Sequence, residues 1–211
     1  MTATDQRRSA PSRQNRRASG KSGSKVLNAV VGLALACGAI SLQTLMLTSH
    51  ELDAPLTYTG AVKDDVDTGR FSARVDAISS ARAVDTGDKT IEAGKGQIFL
   101  VVHAAATVPK EPLHLQPAEL LTSDGKRFSA TDRIEKSKTL ANPWIQPGWW
   151  ASGLFVFEVP ASALPGARAV FSIPISDPHR PEIEVDLGLD DVAAQRLFTT
   201  PKDVYPLGEK R

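Results

Sequence analysis

Cysteine is almost absent from this chain: Cys37 is the only one among 211 residues. It falls inside an apolar segment, so the rest of the chain has no thiol to form a disulfide or act as a nucleophile. The four histidines are far apart, and no two have the spacing of a metal-binding pair. A nucleophile-elbow pattern and a glycine-rich nucleotide loop are also missing. The sequence therefore predicts no enzyme activity, no metal site and no cofactor.

Formal charge is missing from residues 26–49, which read VLNAVVGLALACGAISLQTLMLTS. A helix of about 20 apolar residues, with a rise of 1.5 Å per residue, spans the hydrocarbon core of a bilayer. Residues 1–25 carry seven basic side chains and one acidic one, whereas the remainder carries 18 basic and 23 acidic ones. The positive-inside rule then places the N-terminus in the cytoplasm. We expect one transmembrane helix at 26–49, with the C-terminal domain outside the cell membrane.

Two alternatives to an uncleaved signal-anchor are a cleaved signal peptide and a lipoprotein. The apolar stretch is longer than the 7–15 residues typical of a signal peptide, and it continues past every small-residue cleavage site. A lipoprotein would be processed at Cys37, but the sequence after this residue stays apolar. The anchor is therefore favoured. Gly32 and Ala36 are four residues apart and are candidates for close packing of a second helix, although such pairs also occur in lipid-facing helices.

Residues 1–25 are polar and have no apolar periodicity, which predicts a disordered cytoplasmic tail. Contact with anionic lipid explains its basic charge more simply than nucleic acid does.

Residues 50–68 are typical of a juxtamembrane linker. The run Asp64-Asp65-Val66-Asp67 clusters carboxylates but lacks the distal glutamate of a calcium loop, so we interpret it as a solvated acidic turn.

The rest of the sequence consists of short β-type runs separated by turn signals. Alternation or continuous apolar sequence predicts strands at 71–77, 97–108, 119–123, 126–130, 153–159, 168–173 and 182–187, and a weaker signal lies at 56–62. Asp124-Gly125 predicts a hairpin turn. Only residues 190–198 have helical character, with Asp190 or Asp191 as the cap. This pattern indicates an all-β fold, a sandwich of about seven strands over residues 69–190, followed by a C-terminal extension at 191–211 with a short helix.

The order of these features resembles a large bacterial family of immunoglobulin-like extracytoplasmic domains of unknown function, grouped with the mycobacterial immunoprotective extracellular antigen. The matching pieces are GRFSARV at 69–75, AGKGQIFLVVHA at 93–104, the hairpin region at 113–128, and Pro-Gly followed by GLFVFEVP at 147–160. They cover slightly over half the chain. The resemblance implies an immunoglobulin-like β-sandwich in the cell envelope of a Gram-positive bacterium, and it supplies no reaction or catalytic residues. Family members often carry an Asn shortly after the central strand, where this chain has Pro109.

Trp144, Trp149 and Trp150 lie within seven residues and are the candidate contact residues. Adjacent tryptophans on a strand point to opposite faces, so we expect one to enter the core and the other to be covered by a loop or exposed for contact. His103 and His114 are each flanked by apolar residues, which favours a structural role over that of a catalytic base.

The sequence predicts a membrane-anchored extracytoplasmic interaction module. Its expected partner is a cell-envelope or membrane protein complex for transport or secretion, in which it would be an accessory subunit. The alternative is a domain that binds a glycan or a small ligand through Trp144, Trp149 and Trp150. An enzyme would need histidines and acids to converge in space, which a sequence does not reveal.

Overall fold

A computed structural model describes residues 23–45, 54–174 and 179–207. The chain divides into two units, a helical one and a β-rich domain. The tail predicted at 1–25 lies outside the described residues except for 23–25. These three residues form the first turn of a helix and are not part of a disordered tail.

The helical unit contains α1 (Gly23–Leu45). Leucine, alanine and valine dominate it, and the side chains described between Leu27 and Ser41 are all exposed. Within the part of the chain that the structure describes, no helix combines the length and the apolar character needed to cross a membrane. The transmembrane segment therefore stays a prediction.

Among its described residues, the β-rich domain contains eleven strands, one short α-helix and two single-turn 3₁₀-helices, at Lys136–Lys138 and Ala161–Ala163. The strands are β1 (Leu56–Ala61), β2 (Val66–Asp67), β3 (Ser72–Asp85), β4 (Thr90–Glu92), β5 (Gln97–Thr107), β6 (Glu119–Leu121), β7 (Arg127–Ser129), β8 (Ala151–Pro160), β9 (Arg168–Ser172), β10 (Pro181–Asp186) and β11 (Lys202–Pro206). The helix is α2 (Asp191–Thr199). As predicted, Asp190 caps it, because its carboxylate accepts the N–H of Ala193 at 2.7 Å.

The strands form two sheets, which gives a sandwich-like, mostly β fold as the sequence predicts. Sheet A has the order β1-β10-β9-β6-β7, and sheet B has the order β11-β3-β5-β8, with β2 and β4 also paired to β3. All eight predicted runs form strands. The three strands without a sequence signal, β2, β4 and β11, have two, three and five residues. They are too short or too polar to give a clear alternation, and this explains why about seven strands were expected.

Two of these strands change the expected domain limits. β1 lies in the segment predicted as a linker, yet it pairs in parallel with β10 over its whole length. β11 lies in the predicted C-terminal extension, yet it pairs in parallel with the end of β3. Parallel partners are far apart in sequence, so no local turn signal marks them.

The central strand β5 is buried on both faces, as its continuous apolar sequence predicts. One face, with Leu100 and Val102, contributes to the core that also contains Phe155, Phe157 and Phe171. The other face contributes Phe99 and Val101 to a second cluster with Val84, Ile91, Ile134 and Val156. Full burial of one such side chain stabilises the fold by about 1.5–3 kcal/mol. The two clusters together hold sheet B from both sides.

β10 departs from the expected alternation of exposed charge and buried apolar residues. Glu182 and Glu184 are only 2% and 8% exposed. Arg127 reaches the Glu182 carboxylate at 2.7 Å, and Arg168 reaches Glu184 at 2.9 Å. Hydrogen bonds from Arg127 to the buried Glu182 raise the pKa of the guanidinium. The glutamates can be buried because each has a cationic partner.

The hairpin predicted at Asp124-Gly125 joins β6 to β7. Gly125 has a φ of +81°, a backbone conformation that glycine adopts without strain. Hydrogen bonds from Lys126 and Thr122 hold the pKa of the Asp124 carboxyl at about 2.

Candidate binding surface

The segment before β8 carries the three tryptophans and is fixed by its backbone. Ile145 is completely buried, and its N–H donates to the carbonyl of Leu113 at 2.8 Å. Gly148, with a φ of +74°, donates its N–H to the carbonyl of Val108 at 3.1 Å. These two anchors hold the segment against the domain, so its remaining side chains are placed on the surface.

All three tryptophans are exposed: Trp144 by 60%, Trp149 by 77% and Trp150 by 39%. The prediction that Trp149 or Trp150 enters the core is wrong. Strand β8 begins at Ala151, after both residues. The alternation of side chains along a strand therefore does not apply to them.

The three rings line one shallow depression, which we call the tryptophan surface. The other residues lining the depression are Gln146, Pro147 and Ala151. Gln146 supplies the only polar side-chain amide in this lining. The surface therefore offers a broad apolar contact area with few groups for directional hydrogen bonds.

Arg74 borders the tryptophan surface, and sequence reasoning did not single it out. Its guanidinium carbon lies 4.8 Å from the centre of the Trp150 ring. Its Nε donates to Asp76 at 2.7 Å, and its Nη1 donates to Asp65 at 3.2 Å. Hydrogen bonds to Asp76 and then to Asp65 raise the pKa of Arg74. The two carboxylates therefore hold a cation against one edge of the surface, where it can interact with the Trp150 π-system.

His114 contacts the tryptophan surface at Trp144. Its ring centre is 4.0 Å from that of Trp144, and its Nδ1 lies 3.1 Å from the carbonyl oxygen of Pro143. The sequence predicted a structural role for His114 on the basis of its apolar neighbours. Its contact with Trp144 places it beside the candidate surface, and no local sequence signal links these residues.

His103 lies in a second depression on sheet B. Its Nε2 is 2.7 Å from the hydroxyl oxygen of Tyr205 on β11. The depression is also lined by Asp76, Ser152 and Lys202. Because Tyr205 also packs against the second apolar cluster, this hydrogen bond joins the C-terminal strand to the centre of sheet B.

The carboxylates of the acidic run at 64–67 form hydrogen bonds and an ion pair within the domain. Asp64 accepts the N–H of Ala61 at 2.9 Å, and Asp67 accepts the N–H of Gly69 at 2.8 Å. Asp65 pairs with Arg74. Across the residues that the structure describes, no three His, Cys, Asp or Glu side chains are grouped so that they could hold a metal ion.

Gly32 and Ala36, the candidate residues for helix packing, lie on the exposed surface of α1. Among the described residues, no atom beyond the adjacent residues and the nearby helix backbone lies within 4 Å of the position that a Cβ would occupy at Gly32. The packing of a second helix against them stays a prediction.

No family model matches this chain, and no curated protein matches it. Three solved structures match part of this chain. A candidate lipoprotein, ycdA, from Bacillus subtilis has 16% identity and a TM-score of 0.42, and the match covers 60% of this chain and 38% of that protein. An uncharacterized β-sandwich protein from Clostridium difficile has 12% identity and a TM-score of 0.41, with coverage of 63% and 95%. A conserved hypothetical protein from Bacillus anthracis has 16% identity and a TM-score of 0.42, with coverage of 57% and 93%.

Proposed function

We propose that this chain is a membrane-anchored extracytoplasmic interaction module, and that the tryptophan surface binds a protein of the cell envelope or membrane. The expected partner is a transport or secretion complex, to which the chain would be an accessory subunit. The observation that carries the proposal is the exposure of Trp144, Trp149 and Trp150 in one depression.

Solvent exposure of three indole rings forgoes a large hydrophobic gain, since one aromatic side chain can bury 150–250 Å². Tryptophan and arginine are enriched among the residues that dominate protein–protein binding energy. Arg74 next to Trp150 adds such an arginine, already held in place by Asp65 and Asp76. A partner that covers these residues would recover this energy with little ordering cost.

A protein partner fits the surface better than a glycan does. Sugar hydroxyls require several polar side chains around the stacking ring. Apart from the indole N–H groups, Gln146 is the one polar side chain in the lining of the depression, and Arg74 at its border is already bonded to Asp65 and Asp76. An apolar side chain of a partner protein needs no such set. Glycan binding therefore remains an alternative outcome of the experiment below.

The location proposed for the module depends on the sequence of its N-terminal part. Residues 26–49 are free of formal charge, and the basic residues lie before them. The apolar character of this segment supports the anchor, and the positive-inside rule supports its orientation. Attraction to anionic lipid supports the proposed contact of the basic tail with the membrane. The division of the domain into two sheets supports the finer proposal of an immunoglobulin-like family member.

The experiment is co-purification of the tagged full chain from its native membranes in a mild detergent. We expect a membrane or envelope protein to co-purify, and we expect Trp149→Ala and Trp144→Ala each to reduce its recovery about tenfold or more, as hot-spot truncations do. Val192→Ala is the matched control, because Val192 is 67% exposed on α2 and does not line the tryptophan surface.

Equal recovery of the partner with the tryptophan variants and with Val192→Ala would contradict the proposal. Circular dichroism of each variant checks that its fold is intact. If no protein is recovered but cell-wall glycans quench the tryptophan fluorescence of the wild type and not of Trp149→Ala, the glycan alternative replaces the protein partner.

A further inference from the structure

β1 differs from the other outermost strands of the two sheets. Its six residues, Leu-Thr-Tyr-Thr-Gly-Ala, include no charge and no proline, and all but Gly60 are exposed. Leu56 and Tyr58 are 52% and 37% exposed. Native sheets usually protect an outer strand with charge, proline, shortness or a covering segment, because an open edge recruits further strands.

The other three outer strands all have such protection. β7 has three residues and begins with Arg127. β11 contains Lys202, Asp203 and Pro206. The open side of β8 is covered, because Thr131 donates to the carbonyl of Val156 and Leu140 donates to that of Leu154. Among the described strands at the ends of the sheets, the unprotected edge is therefore that of β1.

The pairing with β10 determines which backbone groups of β1 point outward. Leu56 donates its N–H to the carbonyl of Arg180, so the even-numbered residues of β1 face β10. The N–H and C=O groups of Thr57, Thr59 and Ala61 point away from the sheet. Those of Ala61 are already bonded to Asp64. Within the described part of the chain, the outward backbone groups of Thr57 and Thr59 have no hydrogen-bond partner.

We propose that β1 pairs with β1 of a second copy of this chain, antiparallel and around a two-fold axis at Tyr58. Residues that lie opposite each other in an antiparallel pair have their side chains on the same face of the sheet. Because successive residues of a strand alternate between faces, a two-fold axis between two identical strands must place one residue opposite its own copy. With Tyr58 at the axis, Thr57 lies opposite Thr59 of the other copy. All outward groups of both threonines then form hydrogen bonds.

The two neighbouring registers leave some of these groups unpaired. With Thr57 at the axis, Thr59 lies opposite Pro55, which has no N–H to donate. With Thr59 at the axis, Thr57 lies opposite Ala61, whose backbone groups are bonded to Asp64. The Tyr58 register is therefore the favoured one, and it joins two copies of sheet A edge to edge.

The inference rests on the proposed membrane anchor. Two six-residue strands bury less surface than the roughly 1,200 Å² of a stable interface. Confinement of two copies to one membrane raises their effective concentration and compensates for the small contact. Strand pairing also leaves the tryptophan surface free, since none of its residues lies on β1.

Disulfide cross-linking of the full chain in membranes tests the pairing, and Cys37→Ser first removes the only native cysteine. In this background we expect Tyr58→Cys to form a dimer on mild oxidation, because directly opposite, non-hydrogen-bonded residues have Cα atoms about 4.5 Å apart, within disulfide range. Leu56→Cys is the matched control on the same face. Its copies would be ~13 Å apart, so its dimer yield should be about tenfold lower or less.

Two further variants identify the contact. Thr57→Pro removes an outward N–H and keeps the bonds to β10, so it should suppress the Tyr58→Cys dimer. Val192→Cys, exposed on α2, reports random collision. A yield at Tyr58 no higher than at Leu56 or Val192, or the highest yield at Thr57→Cys or Thr59→Cys, would overturn the register and the proposal.

Alkaline extraction of the same membranes tests the membrane anchor separately from the strand pairing. A chain that is retained but does not cross-link at Tyr58 contradicts the strand pairing and leaves the anchor intact. A chain that is extracted but cross-links at Tyr58 contradicts the anchor and supports the pairing. A chain that is extracted and does not cross-link contradicts both.

Discussion

Glu182 illustrates at the residue scale how this domain buries charge. Its carboxylate is bound by both terminal nitrogens of Arg127, at 2.7 and 3.3 Å, and Arg127 also reaches Glu119 at 2.9 Å. The arginine side chain is 37% exposed, whereas that of Glu182 is 2% exposed. The buried partner therefore depends on a cation that itself remains in contact with water.

Replacement of Arg127 should cost more stability than replacement of Arg168. Arg127→Ala leaves Glu182 buried without a partner and should lower the free energy of unfolding by about 2 kcal/mol, less than for a fully buried pair because water screens the arginine. Arg168→Ala should cost about 1 kcal/mol or less, since the Arg168 side chain is 50% exposed and that of Glu184 is 10% exposed. Urea unfolding followed by circular dichroism measures both values, and equal losses would contradict this ranking.

The candidate site could be predicted from the sequence only in part. The cluster of tryptophans is visible as Trp144, Trp149 and Trp150, but the expectation for Trp149 and Trp150 assumed that both lie on a strand, whereas β8 begins after them. Arg74 and His114 join the site through contacts between distant segments. Single-sequence patterns report local periodicity and carry no information on such contacts.

At the scale of elements, β8 depends on a close approach by the segment before it. Leu140 donates its N–H to the carbonyl of Leu154 at 3.1 Å, and this bond covers the edge of the strand. A Cβ on Gly153 would lie 3.1 Å from the Cα of Leu140 and 3.2 Å from its nitrogen. Glycine at 153 therefore lets the segment lie directly against β8.

Gly153→Ala should push this segment away and lower the free energy of unfolding by about 1–3 kcal/mol, the usual cost of overpacking. Ser152→Ala is the matched control, because Ser152 is exposed on the same strand and should change stability by less than about 0.5 kcal/mol. Thermal unfolding of both variants provides the measurement. A Gly153→Ala variant as stable as Ser152→Ala would mean that Leu140 moves without cost.

Strand prediction succeeded where burial imposes a pattern. β5 and β8 are long and apolar, and the sequence places both within two residues of their observed limits. β1 gave only a weak signal because it is exposed on both faces, and β11 gave none because Pro206 and charged residues interrupt it. Hydrophobic pattern therefore identifies buried strands better than exposed ones.

At the scale of the whole molecule, the uncharged segment is expected to retain the chain in the membrane. Cys37→Ser should leave both the retention of the full chain on alkaline extraction and its apparent mass unchanged. Leu33→Lys combined with Leu35→Lys should release it, because each charge at the centre of a membrane helix costs about 2.5–3.5 kcal/mol. Release of the Cys37→Ser protein would instead favour the lipoprotein alternative.

The two parallel pairings have a consequence for how the domain is made. β1 must find β10, and β3 must find β11, each across more than a hundred residues of chain. Contacts of such high sequence separation slow folding, because loop closure must occur before they form. Neither sheet can be completed until the last strands have left the ribosome and, if the domain is exported, crossed the membrane. For the proposed extracytoplasmic domain, we therefore expect folding to finish only after β10 and β11 have been exported.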